Sequence, residues 1–110
     1  MKEYQKCAEE MLEFIRKSPT AFHAVANIKT ELENSGFAEL KETESWELES
    51  GKDYYVTRND SSLIAFRIPE LTEPVGFHIA ASHSDSPGFK VKESPEMAVE
   101  GAYLKLNTEK

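Results

Sequence analysis

One cysteine, Cys7, stands alone in 110 residues, so no intrachain disulfide can form. No stretch approaches the roughly 18 consecutive apolar residues that a membrane span requires. Cations are short as well: 13 Lys and Arg face 20 Asp and Glu, for a formal charge of -7. Phosphate backbones and anionic membranes are gripped through basic stripes, so neither nucleic acid nor membrane is the expected partner. The opening Met1-Lys2-Glu3-Tyr4-Gln5-Lys6 is polar and runs into an amphipathic stretch, unlike a secretory leader. With the lone thiol, this predicts a cytoplasmic setting. No repeat or low-complexity tract interrupts the chain, and its length suits one small domain, able to bury roughly two-thirds of its unfolded surface.

The first third is helical in pattern. Tyr4, Cys7, Ala8, Met11, Leu12, Phe14 and Ile15 fall at i, i+3, i+4, i+7 spacing, which makes a helix with one apolar stripe. Cys7 lies on that stripe, as an inert core thiol. Ser18-Pro19-Thr20 ends the helix, because proline disfavours helical geometry in the residue before it. A second helix starts near Thr20, carries Phe22, Val25, Ala26, Ile28 and Leu32, and stops at Asn34-Ser35-Gly36. Residues 37–53 are acidic and mixed, with Trp46 and Leu48 anchoring a short extended piece, and the tract from Glu39 to Glu49 reads as a solvated face.

The remainder is β-rich. Tyr54 to Arg58 and Ser62 to Ile68 flank Asn59-Asp60-Ser61, the chemistry of a hairpin turn. After a connector at Leu71-Thr72-Glu73-Pro74, Val75 to Ser82 is apolar without alternation, as in a central strand buried on both faces. Two shorter strands are expected at Phe89 to Lys92 and Gly101 to Leu106. The predicted fold class is α/β, or α+β for this stretch taken alone: two N-terminal helices followed by a mixed β-sheet, drawn as one continuous sheet. Two helices cannot cover both faces of five strands. Either one face is solvated or the stretch is part of something larger.

Phe77-His78-Ile79-Ala80-Ala81-Ser82-His83-Ser84-Asp85-Ser86-Pro87-Gly88 is the most informative segment. An apolar run ends in His-x-Asp and breaks at Pro-Gly, setting an imidazole and a carboxylate at the lip of a sheet. Residues two apart in an extended chain share a face, so His83 and Asp85 can meet. A metal-ligating histidine commonly donates its second ring nitrogen to a carboxylate, which fixes its tautomer. The same pair also reads as a strand-end histidine beside a turn carboxylate. His78, an odd number of residues away, points to the other face and reads as a buried, hydrogen-bonded structural histidine. Ser86 and Pro87 shape the turn. Neither Cys7 nor Ser84 and Ser86 sits in the setting of an activated nucleophile.

Three segments together carry a resemblance. Phe14-Ile15-Arg16-Lys17-Ser18-Pro19-Thr20-Ala21-Phe22-His23-Ala24-Val25, the Ala81 to Pro87 run with Phe89-Lys90-Val91-Lys92, and Gly101-Ala102-Tyr103-Leu104-Lys105-Leu106-Asn107 resemble, in order and spacing, the start of the aspartyl aminopeptidase family of zinc exopeptidases. The resemblance implies a homo-oligomeric metallo-aminopeptidase with two zinc ions, which trims N-terminal residues, often acidic ones, from peptides. Carried over to matching positions, His83 would be a zinc ligand and Asp85 the catalytic-site carboxylate that orients it. His23 would be a wall of the substrate cleft, though helix capping or packing over the sheet edge is an equal reading. Family members are several hundred residues long. Residues 1–110 therefore read as the N-terminal portion of the catalytic domain, without its remaining ligands or the inserted oligomerisation domain. A catalytic zinc needs at least three protein ligands, so the stretch alone is expected to be inactive. The alternative is a non-enzymatic α+β module that kept the scaffold and serves in binding or assembly through an exposed sheet edge.

Overall fold

A computed structural model describes residues 2–70 and 76–110; the expected connector Leu71–Pro74 and Val75 lie outside the described residues. Helix α1 spans Glu3–Lys17 and helix α2 spans Ala21–Asn34. The turn between them is held by Asn27, whose amide donates to the Lys17 carbonyl and to Ser18 Oγ, each at 3.0 Å. These bonds occupy backbone acceptors that a helix end leaves unfilled. Beyond α2, Gly36 takes a φ of 89°, and its N–H and that of Phe37 return to the Glu33 and Leu32 carbonyls at 3.0 Å. This is the left-handed stop that Asn34-Ser35-Gly36 predicted.

Three strands follow as one mixed sheet in the order β1 (Ala38–Leu40), β2 (Asp53–Arg58), β3 (Ser62–Arg67), with β1 parallel and β3 antiparallel to β2. Asn59 and Asp60 both take positive φ, 53° and 52°, and the Ser61 N–H closes the turn on the Arg58 carbonyl at 3.2 Å. Those are the signs a type I′ hairpin turn demands, and the reason Asn and Asp occupy it. At the other end the ladder runs on past Asp53 and Arg67: Gly51 N–H donates to Ile68 O and Ile68 N–H to Lys52 O, both at 2.9 Å.

Gly51 holds a φ of +75°, and the carboxylate arm of Glu70 lies 2.7 Å from where a Cβ would stand. Gly51→Ala should cost about 1–2 kcal/mol, mostly through the left-handed backbone, read as a lower urea midpoint with an unchanged slope.

Among the described residues the buried apolar core is small: Ala24 and Val25 of α2 and Tyr54, Tyr55 and Val56 of β2. Tyr54 packs on Phe66, which Trp46 stacks upon at a centroid distance of 6.4 Å. Tyr55, 0% exposed, points the other way and donates its hydroxyl to the Glu33 carboxylate on α2. Burial and that acceptor push the phenol well above its ordinary pKa.

Several expectations need correction. Gly76 to Phe89 contains no strand, and Phe77 and Ile79 are 93% and 84% exposed. An apolar run becomes a central strand only when neighbours supply its ladder, and the three-stranded sheet ends at β3. His78 on that run is exposed rather than buried, for the same reason. Cys7 is exposed too, because α1 buries no residue: its stripe is real, but among the described residues no layer covers Tyr4, Met11, Leu12 or Ile15. The sheet is also not continuous. β4 (Lys90–Val99) and β5 (Tyr103–Glu109) form a separate antiparallel hairpin, longer than expected. Glu100 and Gly101 turn it with positive φ, and a register shift between Val91 and Glu96 lets Pro95 sit inside β4.

The radius of gyration is 20.5 Å, where a compact chain of this length would have about 13 Å. Accessible surface is 9882 Å², against roughly 6,100 Å² for a compact monomer of this mass. The chain is open.

Candidate metal centre

Within the extended stretch, His83 Nδ1 lies 2.8 Å from the main-chain oxygen of Asp85 and 3.2 Å from its Oδ1. Both partners are acceptors, so Nδ1 carries the proton and Nε2 presents a lone pair. His83 and Asp85 are 80% and 83% exposed at the side chain, which leaves Nε2 open. The chemistry of this donor fits a zinc ion at one coordination position, with Asp85 orienting the ring. Among the described residues, no three His, Cys, Asp or Glu side chains converge to hold a metal, so they supply one ligand and not a closed site.

The pair stands at the margin of a groove of ≈ 1020 Å³. Phe14 and Ile15 of α1, Val25 and Ile28 of α2, and Leu63, Ile64 and Phe66 of β3 give the groove apolar walls, and Phe77 to Ser86 runs along it. His23 is not among its lining residues. That ring sits at the start of α2, with Nδ1 2.7 Å from Thr20 Oγ1, while the His23 N–H donates to the same hydroxyl at 3.3 Å. Thr20 is the N-cap of α2, so the observed contacts of His23 are those of a capped helix end.

Ser84, weighed in the sequence only as a nucleophile, has a contact that the sequence did not show. Ser84 Oγ donates to the Ser61 carbonyl at 2.7 Å, reaching from the His-x-Asp segment to the β2–β3 turn. Its signal was the spacing itself: if 83 and 85 share a face, 84 points the opposite way.

Residues 14–110 match the family described as aminopeptidase I zinc metalloprotease (M18). The chain belongs to the M18 aminopeptidase family. A probable M18 family aminopeptidase 2 of Clostridium novyi is 54% identical over 99% of this chain and 25% of its own length. Its counterpart in Clostridium acetobutylicum is 47% identical, with the same coverage. The M18 chain described here thus spans about a quarter of the length of the curated relatives it matches. In the cryo-EM structure of the Ape4 and Nbr1 complex, a chain 40% identical superposes with a TM-score of 0.85 over 96% of this chain and 20% of that one. Chaetomium thermophilum mApe1 gives 0.74 at 30% identity, over 91% and 23%. The open path of these M18 residues is therefore a path also taken within a chain about five times longer.

Proposed function

We propose that residues 1–110 are the N-terminal portion of a two-zinc aminopeptidase catalytic domain, and that His83 is one of its zinc ligands, oriented by Asp85. The observation that carries this reading is the His83–Asp85 pair itself, with Nδ1 held, Nε2 free and an apolar groove alongside, in a chain of the M18 family. When bound, a zinc pair polarises the scissile carbonyl and yields hydroxide near neutral pH. This chain's part is to fix one imidazole and to wall one side of the groove. The proposed substrates are peptides with acidic N-terminal residues, by likeness to the aspartyl aminopeptidases, and His23 near the start of α2 is a proposed contributor to the cleft. The proposed setting is a cytoplasmic homo-oligomer.

With one ligand in place, the 110-residue chain should release no N-terminal Asp, Glu or Leu from peptide substrates with zinc added. Turnover that survives His83→Ala would sink the ligand assignment, and turnover lost with it would sink the inactivity.

The second reading is a self-contained, non-enzymatic module that kept the scaffold. Sedimentation tests it: the uncovered surface of 9882 Å² should make a piece of a larger domain self-associate with concentration, and a clean monomer at high concentration counts against that and favours the complete module.

A further inference from the structure

We infer that Ser84 is a positioning residue, whose hydroxyl sets which way the His83–Asp85 pair faces; this rests on the proposed zinc role of that pair. Gly76 to Phe89 has no strand ladder, so its place is set by anchor points. Among the described residues, one hydrogen bond ties this stretch to the rest of the chain: Ser84 Oγ to Ser61 O, at 2.7 Å. Ser84 is likewise the one residue of the stretch that is half-buried, the others being exposed.

The acceptor is itself well fixed. Ser61 closes the β2–β3 turn on Arg58, and the neighbouring Ser62 is paired with Arg58 at the head of the ladder. With Ser84 drawn down onto the turn, the side chains before and after it stand in the open. That matches the exposures of 80% and 83% for His83 and Asp85. The contact between His83 and Asp85 is local and forms without Ser84. What the hydroxyl adds is a fixed direction for the pair relative to the sheet.

The test uses the isotopically labelled 110-residue chain, wild type, Ser84→Ala and Ser84→Thr. In the wild type, residues 83–85 should share one alignment with β2 and β3 in residual dipolar couplings, and Ser84 should show through-space contacts to Ser61. Ser84→Ala should lose both, with amide order parameters at 83–85 falling from about 0.85 to below 0.6. The thermal midpoint should be unchanged, and Ser84→Thr should restore the wild-type couplings. Couplings unaltered in Ser84→Ala, or a wild type without the Ser84–Ser61 contact, overturn the inference. So does a midpoint that drops in step with the couplings, since that marks a merely structural bond. Zinc content of a family-length enzyme carrying His83→Ala then addresses the underlying reading separately. Full zinc loading in that variant refutes the ligand and leaves the tether; loss of zinc with no tether in the wild-type couplings does the reverse.

Discussion

Tyr55→Ala is expected to unfold the helix–sheet body at 25 °C. Truncating a fully buried aromatic costs roughly 3–5 kcal/mol, while a domain of this size holds about 5–15 in total. Here the margin is thin, because the buried core comprises five residues among those described, and Tyr55 is the larger of the two side chains fully buried in it. Tyr55→Phe isolates the hydroxyl. It keeps the ring and leaves the Glu33 carboxylate without its donor, at a cost of about 1–3 kcal/mol. The two variants should also part company at high pH. The folded phenol has its pKa raised by burial and by Glu33, so the fold binds that proton more tightly than the unfolded chain does. Its contribution is complete below the unfolded value of about 10 and is lost as pH rises beyond it. Urea titrations at pH 7 and above 10 should therefore show wild-type stability declining across that interval, and Tyr55→Phe nearly flat. An equal decline in both would assign the alkaline loss to other groups.

The second large effect concerns the metal. In a family-length enzyme carrying this segment, His83→Ala should reduce peptide hydrolysis to background, whereas Asp85→Asn should retain activity lowered about 10–100-fold. The ranking follows from the distances. His83 offers Nε2 directly, while Asp85 acts through Nδ1 of the ring, by its main-chain oxygen at 2.8 Å and its carboxylate at 3.2 Å. Asparagine keeps the main-chain acceptor and loses only the charge beside it. Zinc content by mass spectrometry, measured with kcat/KM, checks both variants. Activity losses in the opposite order would mean that Asp85 meets the reaction directly.

Local signals in the sequence carried through to the fold wherever they were self-sufficient. The spacing from Tyr4 to Ile15, the break at Ser18-Pro19 and the stop at Gly36 delimit α1 and α2 closely. Asn59-Asp60 turned β2 into β3 because a residue's own φ preference acts without distant help. Signals that needed a neighbour did not carry through. Val75 to Ser82 has the composition of a buried strand, yet from Gly76 on it lies unladdered, and His78 is exposed with it. Cys7 sits on a genuine apolar stripe and is exposed. Periodicity reports which face wants burial, not whether a partner is at hand. The His83–Asp85 pairing was legible because it is confined to three residues, whereas Ser84 to Ser61 spans 23 positions and needed the hairpin to be placed first.

Trp46 is the sole tryptophan of the chain, stacked on Phe66 and pinned by its indole N–H to the Lys41 carbonyl at 2.8 Å. Phe66 pairs with Tyr54 across the ladder, so the indole rides on the junction of β2 and β3. The molecule thus carries its own optical reporter. Emission excited selectively at the indole reports on the small sheet, while Tyr103 of the β4–β5 ribbon stays silent.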